Sequence, residues 1–263
     1  MNIVKIGGGK GINTEGIISD LAAFEEKYII IHGANAYRDE LAERLNTPKK
    51  VITSVKGYSS VFTDESALDV LMMAYAGLRN TRIVEMCQQN GINAIGLTGI
   101  DGKIVQGKRN SGIRVHEEGK LKLVRDFSGK PQSVNISLLT MLLENGYVPV
   151  LTVPIVDENG YAINSENDDI VVVLNEELKA NRVFQFIEAP GLLENSKDES
   201  SLINHISSAE LLLKEALVEG RMKRKIHALN KLLGGKKTKI IIADGRVEHP
   251  FNDALNGKGT TIQ

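Results

Sequence analysis

Near the start of the chain, Lys5 stands on a short apolar run that ends in Gly7, Gly8 and Gly9. One crossover later, Ile29 to Ile31 repeat the layout and end in His32-Gly33. Glycines at the carboxyl end of a parallel strand let backbone N–H groups approach an anion closely. A lysine beside them adds a compact charge suited to phosphate. Two such strand ends side by side predict a phosphate site and chemistry on a phosphoryl group. The pattern is neither a P-loop nor a dinucleotide fingerprint, because Gly-x-x-x-x-Gly-Lys-Ser/Thr is absent and position 12 is Ile.

Two further constellations bear charge. Asn164-Ser165-Glu166-Asn167-Asp168-Asp169 gathers acids and amides just before a helical pattern. An acid there can hold Mg²⁺, position a lysine, or cap the helix. Gly220-Arg221-Met222-Lys223-Arg224-Lys225 packs four cations at a helix start. That placement opposes the helix dipole and makes sense beside a bound anion. His32 is read as a packed, hydrogen-bonded histidine rather than a base.

These residues need a framework. Val4–Ile6 and Tyr28–Ile31 are β-rich, and residues 17–27 between them have helical spacing, which gives a β–α–β unit. Helical patterns follow over 36–45, 62–78, 82–90, 133–144, 170–178, 207–220 and 222–233. Strand patterns follow over 94–97, 148–153, 182–186 and 239–243, with a last edge strand near 260–262. Residues 112–124 read as a hairpin projecting from the body. Lys103, Lys108, Arg109, Arg114, Lys120 and Lys122 make its neighbourhood basic. Alternating strands and helices predict an α/β chain with a mostly parallel sheet covered on both faces.

Composition narrows the function. Net charge is −1 and aromatics are 5% of residues, which disfavours nucleic acid and anionic membrane as partners. No apolar run has the length of a membrane span, and the start has no secretory pattern, so a cytoplasmic enzyme is expected. The single Cys87 excludes an internal disulfide and a cysteine-based zinc site. No metal-ligating set is assigned.

Taken in order, the motifs resemble the amino acid kinase family, over nearly the whole chain. Lys5 to Gly8, His32-Gly33, Gly96 to Gly102, Asn164 to Asp168, Pro190 to Leu193 and Gly220 to Lys225 follow the acetylglutamate kinase branch. Gly220 to Lys225 and Ala243 to Glu248 are similar to the kinases of carrier-protein-linked aminoadipate or glutamate. The resemblance implies a three-layer α/β/α sandwich around a mostly parallel sheet of about eight strands. It implies an N-terminal lobe, 1–156, for the acyl substrate and dimer contact, and a C-terminal lobe, 157–263, for ATP with Mg²⁺. Lys5 and Lys225 would neutralise the transferring phosphoryl group, and Asp168 would orient both. Gly7, Gly8 and Gly33 would hold phosphate, with Lys223 and Glu188 near the nucleotide. Ala34, Val61 and Asn164 would line the acyl substrate. A homodimer and an acidic carrier protein are the implied partners, in lysine or arginine biosynthesis. With the first strand at Asn2, the extra N-terminal helix of arginine-inhibited relatives is not expected.

The chain departs from that pattern at Ala34, where a second glycine is usual, and at Asn167, where a glycine precedes the key aspartate. Ile187-Glu188 replaces a Ser-Asn or Ser-Asp pair. Val61 stands where the branch has its substrate-carboxylate arginine. Two other functions fit these departures. One is an acetylglutamate kinase or related kinase with an altered substrate. The other is a catalytically weakened nucleotide-binding or scaffold protein.

Overall fold

The computed structural model describes residues 1–55, 59–117, 120–195, 197–217, 220–233 and 238–263. For 59, 60, 117, 216, 217 and 220–225 it describes the backbone and not the side chains. Eight strands form the central sheet. They are β1 (Asn2–Ile6), β2 (Tyr28–His32), β3 (Ala94–Thr98), β4 (Val148–Thr152), β5 (Arg182–Ile187), β6 (His205–Ile206), β7 (Lys239–Asp244) and β8 (Thr260–Ile262). Their order is β6-β8-β7-β5-β1-β2-β4-β3. Neighbours run parallel except β7 and β8.

The order reverses at β1. From there the chain builds outward through β2 to one edge, then crosses to β5 and builds to the other. In open α/β sheets the crevice at such a reversal is where ligands bind, at the carboxyl ends of the strands. Lys5 lies on β1, and Gly7 and Gly33 follow β1 and β2.

Strand alternation divides the core between the two faces. Ile3, Ile29, Ile31, Leu151, Val183 and Ile240 join one apolar cluster. Val4, Ile6, Ile30, Val150, Phe184 and Ile241 join the other. Lys5 shares the parity of Ile3 and so points to the first face, where α6 (Asn167–Leu178) covers the sheet. On the second face, Phe251 packs against Phe184 and Phe24 with ring centroids 4.8 and 4.9 Å away. Deleting a buried aromatic of this kind costs about 3–5 kcal/mol.

The helices begin where local chemistry allows. Asn13 caps α1 (Thr14–Leu21) by accepting from the Gly16 N–H at 2.9 Å. Asp64 does the same for α3 (Glu65–Met72) through Ala67. Between them, α2 (Asn35–Arg44) springs from Gly33-Ala34 at the end of β2.

Several expected elements differ. The helix expected over 62–78 starts at Glu65 and widens into a π-helix over Met73–Asn80. Side chains at its end are drawn inward. Asn80 donates to the Val150 carbonyl at 2.9 Å and contacts His32, while Arg79 reaches Tyr37 and Thr14. The helix expected from Ser133 starts at Ile136, because Gly129–Val134 is a strand and Asn135 is the cap. That strand pairs with Val105–Arg109, which pairs with Ile155–Val156 and through it with Ala162–Ile163 in a second sheet. Lys108 and Arg109 therefore belong to this sheet rather than to the hairpin. The hairpin itself pairs Ile113–Glu117 with Lys120–Val124. An isolated bridge from Val115 to Ser54 ties it to the body.

Candidate active site

The crossing of the first two strand exits leaves no room for side chains. The Gly33 N–H donates to the Ile6 carbonyl at 2.9 Å, and the Ala36 N–H donates to the Gly8 carbonyl at 3.0 Å. A Cβ on Gly8 would lie 2.7 Å from both the Ala34 and Asn35 nitrogens. A Cβ on Gly33 would lie 2.9 Å from the Gly8 nitrogen. Backbone N–H groups thus crowd together at the mouth of β1 and β2, the arrangement an anion needs. Ala34 has φ −145°, so its methyl group demands no left-handed backbone. Gly7 stacks on β5, donating to the Phe186 carbonyl at 3.0 Å.

Above this floor, the Lys5 ammonium pairs with Asp168 in the first turn of α6. Their side chains keep 13% and 25% exposure, so a ligand can reach both. Of the three roles open to the acids at 164–169, helix capping by a side chain is not used at the α6 N-cap, Glu166. Asp168 takes Lys5, and Asp169 takes Lys130 at 3.2 Å. Asn167, in place of a glycine, donates its amide to the His32 carbonyl at 3.0 Å and so fixes the start of α6 to the end of β2. His32 itself is fully enclosed. Burial pushes its pKa down to about 3, with Arg79 adding to the effect. It is a neutral packing residue beside Asn80 and serves no proton transfer.

Glu188 lies at the end of β5, with its carboxylate against the glycine loop. The Gly11 N–H donates to it at 2.7 Å, and a Cβ on Gly9 would collide with it. Lys223 and Lys225 fall on α8 (Gly220–Leu233), but their side chains lie outside the described residues. So do those of Arg221, Met222 and Arg224. The helix packs on α6, where Asn175 donates to the Leu232 carbonyl at 3.2 Å.

A second feature adjoins the first. A cleft of about 210 Å³ is lined by residues including Arg38, Lys49, Lys50, Val61, Phe62 and Asn164. Two connections link it to the glycine crossing. Arg38 stands one turn into α2, whose start is Gly33-Ala34, and Asn164 precedes Asp168 by four residues. Asn164 donates to the Thr63 hydroxyl at 3.1 Å, and the buried Asp126 accepts from the Thr63 N–H at 3.2 Å. Val61 ends the strand Ser59–Val61, paired with Val51–Thr53. Sequence reasoning overlooked Arg38, Lys49, Lys50, Thr63 and Asp126. The one available signal was the Lys49-Lys50 doublet ahead of a short β-rich run.

A glycine crossing at a topological reversal, a lysine–aspartate pair above it and an adjoining cationic cleft have the make-up that phosphoryl transfer needs. Over residues 1–244 the chain matches the amino acid kinase family, and it belongs to that family. It is 38% identical to a LysW-aminoadipate kinase of Thermus thermophilus, across 100% of both chains. It is 28% identical to an acetylglutamate kinase of Methanopyrus kandleri, again across 100% of both. The fold superposes on a Giardia carbamate kinase with a TM-score of 0.68 at 14% identity, covering 99% of this chain and 97% of that one. Both sequence relatives are named kinases. No helix among the described residues is long and apolar enough to cross a membrane.

Proposed function

We propose that the protein phosphorylates a side-chain carboxylate with ATP to give an acyl phosphate. The acid is aminoadipate or glutamate borne on a carrier protein, in cytoplasmic lysine or arginine biosynthesis. The observation that carries this is the Lys5–Asp168 pair above the Gly8–Gly33 crossing. It is supported by likeness to the LysW-aminoadipate kinase along the full chain.

The carboxylate oxygen attacks the γ-phosphorus, the new P–O bond forms, and the bond to the ADP oxygen breaks. No general base is required, because the acid is ionised near neutral pH. Catalysis consists of positioning and of neutralising charge on the phosphoryl oxygens. Lys5 and Lys225 supply positive charge, Asp168 orients them, and the Gly8 N–H faces the phosphate, while the Gly33 N–H expected to join it is spent on the Ile6 carbonyl. Gly8, with the Ala34 and Asn35 nitrogens beside it, fits a phosphate, whereas the space beside Gly9 is taken by the Glu188 carboxylate. Mg²⁺ accompanying the nucleotide would supply further neutralising charge. Residues 1–156 take the acid and 157–263 the nucleotide, with Lys223 and Glu188 beside it. The protein works as a homodimer. The exposed hairpin, with Arg114, Lys120 and Lys122 beside Leu121 and Leu123, suits an acidic carrier.

The experiment is ATP-dependent acyl-hydroxamate formation, comparing carrier-linked aminoadipate with free N-acetylglutamate and using Lys5→Ala as the blank. Signal on the carrier-linked acid is expected, and Lys120→Glu with Lys122→Glu should weaken it at low salt. Signal on the free acid alone would favour the second reading, an acetylglutamate-type kinase, to which the Methanopyrus relative points. Nucleotide binding without turnover on any acid would leave only a binding protein.

A further inference from the structure

The acyl cleft holds more positive charge than its own structure uses. Arg38, 14% exposed at its side chain, places Nε and Nη2 at 2.9 and 2.6 Å from one oxygen of Asp39. Lys49 takes the other Asp39 oxygen at 2.6 Å. One carboxylate therefore clamps two cations and leaves their sum positive. Lys50, the next residue, sits with its ammonium 5.2 Å from the centre of the Phe62 ring and forms no ion pair among the described residues. The remaining acid of the lining, Asp64, accepts from the Ala67 N–H at 2.9 Å as the cap of α3. The same wall carries Val61, an apolar side chain that binds no anion. Cations gathered in a half-open cleft, beyond what local carboxylates neutralise, attract an anionic ligand.

Resting on the proposed carboxylate kinase activity, we propose that Lys49 and Lys50 form the seat for a second carboxylate of the acid, the one that is not phosphorylated. Arg38 and Asp39 hold Lys49 in place. The hairpin geometry permits this. The Phe62 N–H donates to the Lys50 carbonyl at 2.8 Å and Val51 pairs with Val61, so Lys50 lies across the ribbon from Phe62, one residue along from position 61. The ligand class is a dicarboxylic acid of four to six carbons whose far carboxyl reaches the glycine crossing.

The test uses the full chain and two probes, N-acetyl-2-aminoadipate and its α-carboxamide, with binding followed by calorimetry. The wild type should bind the diacid about tenfold more tightly than the amide, the scale of one charge-assisted contact. In Lys49→Met/Lys50→Met that preference should vanish while binding of the amide and the melting temperature stay unchanged. Adding Val61→Arg to the double variant should restore the preference. Equal binding of the two probes by the wild type would overturn the seat, as would equal weakening of both probes in the double variant. Hydroxamate formation separates this from the parent reading. A diacid preference without acyl phosphate would sink the kinase and leave the seat. Equal phosphorylation of both probes would do the reverse.

Discussion

The glycine crossing and the acyl cleft sit at opposite ends of α2 and of the loop at 164–168, yet they are made from different material. At the crossing, backbone does the binding. Gly8, Gly33 and Ala34 approach so closely that a single added carbon at Gly8 meets two nitrogens at 2.7 Å. In the cleft, side chains do the binding, carried on a short ribbon and on the outer turns of helices. A backbone site tolerates almost no substitution, because every donor is fixed by packing. A side-chain site tolerates exchange, because a charge can be supplied from either strand of a ribbon. On that footing Val61 can stand where the family resemblance implies an arginine, with Lys5, Gly8 and Asp168 undisturbed.

The sharpest way to break the comparison is Gly8→Ala. The new methyl group must displace the start of α2, so we expect a stability loss of about 1–3 kcal/mol. Turnover should fall on the order of a hundredfold from misplacement alone. Thermal melting and initial rates check both, and a fully active, equally stable Gly8→Ala protein would show that the crossing is not the phosphate floor. Asn164→Ala comes next. It should raise KM for the acid about tenfold, the scale of one hydrogen bond, and leave KM for ATP unchanged. An equal rise in both would erase the distinction between the two ends.

The smallest effect belongs to neither end. His249 meets Asp20, which also accepts from the Phe251 and Asn252 N–H groups and so fastens α1 to the C-terminal helix Pro250–Leu255. The hydrogen bond that His249 donates to Asp20, then the Asp20 charge, raises the His249 pKa above the usual histidine value. A raised folded pKa gives stability that is full below about pH 6.5 and is lost as pH rises through the folded value. The melting temperature should therefore fall slightly from pH 6 towards pH 8, and His249→Gln should flatten that slope with rates unchanged.

Much of this was legible in the residues. Apolar strands ending in glycine announced the crossing, since only glycine permits such approach. The strand and helix alternation announced the parallel sheet, because buried strands read as continuous apolar runs. The second sheet was harder to see. There Gly107 lies against the Lys130 backbone and Gly129 against that of Lys108, and Pro131 interrupts the pattern, so neither strand shows clean alternation. The π-helix at Met73–Asn80 escaped notice because its cause is tertiary, the pull of His32 and Val150 on Asn80. The cleft cations escaped for a related reason. Arg38 looks like a solvent-facing helix residue until Asp39 and Lys49 fold against it.

The Asn167 amide and the Thr152 hydroxyl both donate to the His32 carbonyl, at 3.0 and 3.2 Å. Three segments far apart in sequence are thereby bolted at one oxygen, directly behind the Lys5–Asp168 pair. The acyl ribbon meets this joint at a distance, through α2, the loop at 164–166 and the helix that ends at Asn80. A lineage built this way can exchange one acid for another by altering a few ribbon side chains, while inheriting the transfer chemistry intact.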